Sequence, residues 1–169
     1  SDFYERFGRG LAQLHQVSRG TQIGLDHDNF LGSAKQVNRP ASDWIKFYSE
    51  HRLRYQLEWG RRRGTVTVEL QRETEKLIDR LPEILHTKEQ TTSLLHGDLW
   101  SGNYLCDVHG APTVIDPAVY YGHREAEFGM LKLFGNCPHI FYRSYDEVWP
   151  LEDEWERRVD VYVLYHLLN

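Results

Sequence analysis

The chain has 169 residues, of which 40% are hydrophobic and 27% are charged, and its formal net charge is −5. The length and composition suit one globular domain with a single core. The negative net charge disfavours nucleic acid as a partner, since Arg61-Arg62-Arg63 is the one basic block. Cys106 and Cys137 form no Cys-x-x-Cys pair, and neither a signal peptide nor a bilayer-spanning apolar run is visible, so we expect a reduced, cytoplasmic setting without membrane association.

The first predicted element is an amphipathic helix. Phe3, Phe7, Leu11 and Leu14 recur at helical spacing, which places them on one face. We expect this helix to bury that face and to end near His15.

A polar, glycine-containing loop is predicted next, over residues 22–38. An EF-hand calcium site beginning at Asp26 is not supported, because Phe30 and Leu31 stand where a ligand and a glycine are needed. Two interpretations of Asp26, His27 and Asp28 stay open. They cap turns by bonding to nearby backbone groups, or they lie beside an acceptor substrate.

A long helix is predicted from the N-cap Ser42 to about Trp59. Its aromatic stripe is expected to face the core and consists of Trp44, Tyr48, Tyr55 and Trp59. Arg61-Arg62-Arg63-Gly64 would then close the segment as a solvated surface turn.

A third helix carries Leu70, Thr74, Leu77 and Leu81 on one face, and we expect Pro82 to stop it. A polar connection from Lys88 to Thr92 leads into the next strand.

The most informative stretch follows, from Ser93 to Pro117. Leu94 and Leu95 form a short apolar run that ends at His96-Gly97, so Asp98 begins a polar loop where a buried strand stops. Tyr104 to Val108 and Thr113 to Ile115 are β-prone runs separated by a glycine-containing turn, which predicts a hairpin. The hairpin would fold Asp116 back towards Asp98 and Asn103.

Two carboxylates and a carboxamide in this arrangement suit phosphoryl transfer. The reaction needs an acceptor hydroxyl to be oriented and the phosphate charge to be neutralised, more than it needs covalent chemistry. Asp98 suits the first task, and Asn103 with Asp116 supply the oxygen ligands that Mg²⁺ prefers. The Asp-x-x-x-x-Asn spacing from Asp98 to Asn103 is that of a kinase catalytic loop.

The C-terminal third predicts two helices separated by a loop. Glu125 to Leu133 is the first helix, and Glu125 and Glu127 near its start are interpreted as partners of the helix dipole. Pro138 and Pro150 bracket an aromatic-rich loop, in which Cys137-Pro138-His139 offers too few ligands for zinc. The last helix starts near Leu151, and its wide apolar surface includes Trp155, Val159, Tyr162 and His166.

The full string His96-Gly97-Asp98-Leu99-Trp100-Ser101-Gly102-Asn103, followed by a hairpin and by Ile115-Asp116-Pro117-Ala118, resembles the fructosamine kinase family, also called ketosamine-3-kinases. The resemblance continues through 121–125 and upstream through 24–33. Residues 61–92 contribute least to this resemblance.

This resemblance implies an enzyme that transfers the γ-phosphate of ATP, with Mg²⁺, to a sugar hydroxyl of a ketosamine, free or on a glycated protein, as a step in deglycation. It implies Asp98 as the base and Asn103 with Asp116 as the metal ligands. Trp100 would offer an apolar face to the sugar beside Asp26, His27 and Asp28, while His96 would brace the loop.

The resemblance also implies the fold, an α-rich α+β domain equivalent to the larger, C-terminal lobe of a protein-kinase-like fold. Residues 1–169 would form that single lobe. No Gly-x-Gly-x-x-Gly occurs in the sequence, so we expect the nucleotide-clamping lobe to lie before Ser1, the chain to be cut again at Asn169, and the lobe alone to be inactive.

Two other functions stay open at this stage. A kinase acting on choline or an aminoglycoside would use the same two carboxylates and carboxamide. The residues Trp100-Ser101-Gly102 within the loop, together with residues 26–33, favour ketosamines instead. A non-catalytic interaction domain would keep the fold without using a metal.

Overall fold

The structure is a computed structural model that describes residues 2–88 and 90–169; Glu89, in the predicted connection from Lys88 to Thr92, lies outside them. Helices predominate, accompanied in the described part by three two-stranded antiparallel sheets. In chain order the elements are α1 (Asp2–Val17), β1 (Asn29–Leu31), β2 (Ala34–Gln36), α2 (Trp44–Tyr48), a π-helical segment (Ser49–Arg54), α3 (Tyr55–Arg62), α4 (Val68–Ile84), β3 (Ser93–Leu95), β4 (Tyr104–Cys106), β5 (Pro112–Val114), β6 (Tyr120–Gly122), a 3₁₀ turn (Arg124–Ala126), α5 (Glu127–Leu133), α6 (His139–Val148) and α7 (Trp155–Leu168).

Two adjoining hydrophobic clusters form the core. One gathers around Phe47 and Tyr162, and the other around Phe7 and Phe141. The loop after β3 passes from one cluster to the other, because Leu95 before it belongs to the first and Leu99 within it to the second. Both leucines are buried, so the loop between them is anchored at both ends.

The predicted strand and hairpin around the polar loop are confirmed. β3 pairs with β6, with Leu95 opposite Tyr120, and β4 pairs with β5, with Tyr104 opposite Val114. The first helix is also confirmed, although it ends at Val17 and leaves Leu14 partly exposed. Within the predicted loop 22–38, residues 29–36 form the small β1–β2 hairpin.

The predicted aromatic loop between Pro138 and Pro150 is wrong, because it contains α6. Pro138 stands at the N-cap position, where a missing amide hydrogen costs little, and the aromatic residues bury one helical face. α6 packs closely on α1: a Cβ on Gly8 would lie 2.2 Å from the Phe141 carbonyl oxygen.

The long helix after residue 42 differs from the prediction at its start and in its interior. Asp43, not Ser42, is the N-cap, and its side chain accepts the Lys46 amide hydrogen. The π-helical segment at 49–54 changes the rotation of the chain, so that Tyr55 and Trp59 are only partly buried. Gln56, Leu57 and Gly60 take the inward positions instead.

Pro82 does not stop α4, which continues to Ile84. Leu81 and Leu85 on either side of the proline are buried, and the Leu85 amide donates to the Leu81 carbonyl, so packing holds the last turn. Arg61, Arg62 and Arg63 are exposed as predicted. Across 2–88 and 90–169, no helix is both long and apolar enough to cross a membrane.

Candidate active site

The polar loop begins with a glycine that the geometry requires. Gly97 has a φ of 81°, in the left-handed region, and a Cβ there would lie 2.1 Å from the Ala118 carbonyl oxygen. The Ala118 amide donates to the His96 carbonyl at 2.8 Å. The chain can therefore leave β3 and turn towards Asp98 while it stays bonded to the segment after Asp116.

Asp98 lies half-buried in this loop, with its two carboxylate oxygens in different environments. Oδ2 accepts a hydrogen bond from Asn103 Nδ2 at 3.1 Å. Oδ1 is buried and has no hydrogen-bond partner in the described part of the chain. Burial raises the pKa of Asp98, as do the nearby Glu127 and Asp116 carboxylates, while Asn103 and His96 oppose the rise. A half-buried carboxylate of raised basicity suits the hydrogen of an acceptor hydroxyl group.

Asn103 and Asp116 lie at the same end of the β4–β5 hairpin, because the Ile115 amide donates to the Asn103 carbonyl at 3.0 Å. Asn103 Nδ2 donates to both the Asp98 carbonyl and Oδ2, so its Oδ1 is the amide atom left for a cation. Asp116 is exposed with a φ of 51°. These oxygen donors suit Mg²⁺, which keeps several waters and takes phosphate oxygens as further ligands. No group of three or more metal-binding side chains occurs within 2–88 and 90–169.

His96 is buried with both ring nitrogens engaged. Nε2 bonds to the Ile115 carbonyl at 2.8 Å, and Nδ1 accepts the Asp98 amide hydrogen at 3.3 Å. A carbonyl can only accept, so Nε2 carries the hydrogen. The ring thus joins the start of the loop to the end of the hairpin, and neither nitrogen is left for a second base.

Glu127 lies beneath the loop, in the first turn of α5 where the helix-dipole interpretation places it, and it also makes contacts that the sequence does not reveal. Its side chain is 1% exposed, and its carboxylate accepts the amide hydrogens of His96 at 2.6 Å and Gly97 at 3.0 Å. Backbone amides buried at the end of a strand need an acceptor, but sequence alone does not reveal which acid supplies it.

Glu125 also lies at the start of a helical segment, and it too has a partner that the sequence does not reveal. It is buried and forms a two-pronged ion pair with Arg158 on α7, at 2.7 Å for each oxygen. Burial raises the pKa of Glu125, and the bonds from Arg158 oppose that rise.

Burial lowers the pKa of His166, further along α7, to about 4.

The Trp100 ring folds back over its own loop. A Cβ on Gly102 would lie 2.5 Å from the ring, so the glycine leaves the space that the indole fills. The Trp100 and Phe134 ring centroids are 5.2 Å apart. Phe134, half exposed at the end of α5, was missed because an isolated aromatic residue before a glycine carries no sequence signal.

Of the three polar residues predicted near an acceptor, Asp26 and His27 are exposed and bond to each other. Asp28 accepts the Asn38 amide hydrogen at 2.9 Å and pairs with Lys35 at 2.9 Å. The pKa of Asp28 is lowered, mainly by the hydrogen bond from the Asn38 amide and to a smaller extent by the bond from Lys35. Asp28 therefore performs the capping role, whereas Asp26 and His27 remain accessible.

Side-chain amides tie this segment to the chain that follows Asp116. Asn29 Nδ2 donates to the Val119 carbonyl, and Gln36 Nε2 donates to the Ala118 carbonyl, each at 2.9 Å. The exposed pair at 26–27 thus belongs to a segment that is bonded next to the hairpin end. Sequence reasoning missed Asn29 and Gln36 as the residues that make this connection.

Comparison with known proteins identifies the family. The family model described as fructosamine kinase matches residues 1–169. The chain belongs to the fructosamine kinase family. This confirms the resemblance inferred from the loop sequence.

Three fructosamine kinase relatives show how far the similarity extends. The chain is 43% identical over 163 residues to "Protein-ribulosamine 3-kinase, chloroplastic" of Oryza sativa subsp. japonica, covering 96% of the chain and 47% of the relative. It is 38% identical over 168 residues to a "Probable ketoamine kinase" of Synechocystis, covering 99% and 56%. A crystal structure from Thermobifida fusca, provisionally named a fructosamine-3-kinase, matches with a TM-score of 0.89 at 37% identity, covering 98% of the chain and 57% of that protein.

The chain spans about half the length of the curated fructosamine kinase relatives it matches. The polar loop, the hairpin and Glu127 all lie within the matched half.

Proposed function

We propose that the protein containing this chain phosphorylates a sugar hydroxyl of a ketosamine with ATP. The observation that carries the proposal is the Asp98 carboxylate, which has one oxygen fixed by Asn103 and the other buried without a partner. A ketosamine free or attached to protein amines is the proposed acceptor, and repair of glycated protein is the proposed role.

In this mechanism the Asp98 carboxylate accepts a hydrogen bond from the acceptor hydroxyl and holds its oxygen towards the phosphate. A carboxylate is a weak base near neutral pH, so proton transfer to Asp98 comes late and orientation is its larger contribution. Asn103 and Asp116 would hold Mg²⁺, and the ion would supply positive charge that neutralises the ATP phosphates. His96 keeps the loop and the hairpin end together through its two ring nitrogens.

Acceptor binding is assigned to two surfaces, one in the Asp98 loop and one on the segment at 26–27. The paired rings of Trp100 and Phe134 offer an apolar face for a sugar ring. Asp26 and His27 are exposed on the segment that Asn29 ties to Val119, so they can reach polar groups of the acceptor. Asp28 would support this segment through its bond to Asn38.

We propose that residues 1–169 correspond to the larger lobe of a kinase-like fold, and that a second lobe holds the nucleotide. Two features support this proposal: the chain covers only about half of its relatives, and its sequence holds no glycine-rich phosphate loop. A cytoplasmic location is also proposed, although the rice relative is named chloroplastic. Microscopy of a tagged full-length protein tests this location.

The test is a single panel of acceptors offered to the full-length protein with Mg·ATP. Fructosyl-lysine and ribulosyl-lysine should be phosphorylated, whereas choline and kanamycin should not. Turnover of choline or kanamycin alone would instead support a different small-molecule kinase. Mg²⁺-dependent nucleotide binding without turnover of any acceptor would favour a non-catalytic domain.

A further inference from the structure

We propose that a groove between α6 and α7 binds the polypeptide that carries the ketosamine, with a preference for basic residues beside the glycated lysine. The proposal rests on the proposed function, because it names the carrier of the same acceptor. The groove has a volume of about 460 Å³. We call it the α6–α7 groove, and the residues of its lining that matter here are Asn136, Tyr142, Asp146, Trp155 and Glu156.

The α6–α7 groove adjoins the apolar face that is assigned to the sugar ring. Phe134, at the end of α5, holds its ring 5.2 Å from the ring of Trp100. Asn136 follows two residues later, and its Oδ1 accepts hydrogen bonds from the Cys137 amide at 2.9 Å and from the Tyr142 hydroxyl. Two residues of chain span at most about 7 Å. The sugar face and the wall of the groove therefore belong to one short turn.

A sugar placed against Trp100 and Phe134 brings its carrier to this turn. In a protein ketosamine the sugar is joined to a lysine amine, and a flexible four-carbon stem separates that amine from the backbone. The backbone on either side of the glycated lysine must then lie against the surface around residues 134–136. The α6–α7 groove is a recess in that surface.

The side chains of the groove favour a positively charged occupant. Glu156 is exposed in the first turn of α7, and its carboxylate forms no hydrogen bond or ion pair within residues 2–88 and 90–169. Asp146 is also exposed, and one of its carboxylate oxygens accepts a backbone amide hydrogen. The rings of Tyr142 and Trp155 lie 5.1 Å apart and add faces that attract ammonium and guanidinium groups.

The cations around the groove already have acidic partners. Arg143 Nε lies 3.9 Å from a Glu147 carboxylate oxygen. Lys132, in an adjoining recess that shares part of the lining, has its Nζ 2.5 Å from an Asp160 oxygen. With His139 counted as neutral, the charge of the groove that is left without a partner is negative. Arginine or lysine residues next to the glycated lysine complement this charge.

The test compares two glycated peptides as substrates of the full-length protein with Mg·ATP. Each peptide has one fructosyl-lysine with two residues on either side, which are arginines in one peptide and glutamates in the other. The KM of each peptide is divided by that of free fructosyl-lysine for the same protein. This ratio should be about three- to tenfold lower for the arginine peptide, as expected for two solvent-exposed charge pairs. High salt should reduce the difference, because it screens exposed charges.

The substitution Glu156→Lys should reverse the order of the two KM ratios. A loss of folded protein cannot produce a reversal, because it lowers the turnover of both peptides alike. Glu69→Lys is the matched control: Glu69 is also an exposed acid in the first turn of a helix, α4, and it lies outside the groove. That variant should keep the wild-type order. Equal ratios for the two peptides in wild type, or an unchanged order in Glu156→Lys, would overturn the proposal.

Peptide binding without ATP separates failure of this inference from failure of the proposed function. Fluorescence anisotropy of the two peptides, each labelled with a dye, measures their affinities for wild type, Glu156→Lys and Glu69→Lys. If the wild-type protein phosphorylates no ketosamine, the proposed function is wrong, and the affinities still decide whether the groove prefers the basic peptide. If free fructosyl-lysine is phosphorylated but the two peptides do not differ, the groove is occupied by another part of the full-length protein or is empty, and only the carrier assignment is wrong.

Discussion

Replacing Asp98 by asparagine tests the proposed base with little change in volume. In the native site Asn103 Nδ2 donates to the Asp98 carbonyl at 2.8 Å and to Oδ2 at 3.1 Å. Asparagine at position 98 can keep the second bond only by turning its amide oxygen to Asn103. Its NH₂ group then occupies the place of the buried, unpaired Oδ1. The variant side chain also carries no negative charge, so it cannot take up the proton of the acceptor hydroxyl group.

The expected loss in kcat follows from that replacement. General-base catalysis contributes about 10²- to 10⁴-fold, so kcat of Asp98→Asn should fall by at least about 10²-fold, or about 2.7 kcal/mol in the activation free energy. The KM for ATP should stay close to wild type, because Asp98 acts on the acceptor and not on the nucleotide. Steady-state assays of ADP release by the full-length protein measure both quantities, with thermal melting to show that the variant is folded.

The pH dependence provides a second measurement on the same variant. Burial, and then the charges of Glu127 and Asp116, raise the pKa of Asp98. Since the base works only when ionised, wild-type kcat should decline as the pH falls through this raised pKa, at a higher pH than an ordinary aspartate would give. The residual activity of Asp98→Asn should lack that decline. Full turnover in the variant, or an unchanged acid limb, would show that Asp98 is not the base.

Three further results are expected. Trp100→Ala should raise the KM for the ketosamine about tenfold or more while the KM for ATP stays within about twofold, because the proposed stacking involves the ketosamine alone; equal effects on both KM values would mean that the ring only shapes the loop. Asp116→Ala should weaken Mg·ATP binding about tenfold or more in calorimetric titration, and unchanged affinity would show that Asp116 is not a metal ligand. The 169-residue chain by itself should fold but show neither appreciable Mg·ATP binding nor turnover, so micromolar binding would contradict the proposed need for a second lobe.

The sequence by itself determined the elements that local patterns control. The apolar run before His96-Gly97 and the two β-prone runs around Gly110 predicted β3 and the β4–β5 hairpin, which the structure confirms. Such predictions succeed because strand, turn and polar loop are encoded within a few neighbouring residues. The same stretch was specific enough to indicate the family that the comparisons show.

Predictions failed where residues distant in the sequence decide the outcome. Pro138 and Pro150 suggested a loop, yet packing of Phe141 against α1 stabilises α6 between them. Pro82 suggested a helix end, yet the buried Leu81 and Leu85 hold one more turn. In each case tertiary burial outweighed a local preference of the chain.

The arrangement of the site depended on tertiary structure even more strongly. The sequence named Asp98, Asn103 and Asp116 as a set, but it could not show that Asp98 Oδ1 is buried without a partner or that Glu127 accepts the His96 amide hydrogen. Glu127 lies 31 residues after His96, and only the packing of α5 beneath β3 brings its carboxylate to the loop. A buried amide requires an acceptor whatever its position in the sequence, and the folded chain alone determines which residue is close enough to provide one.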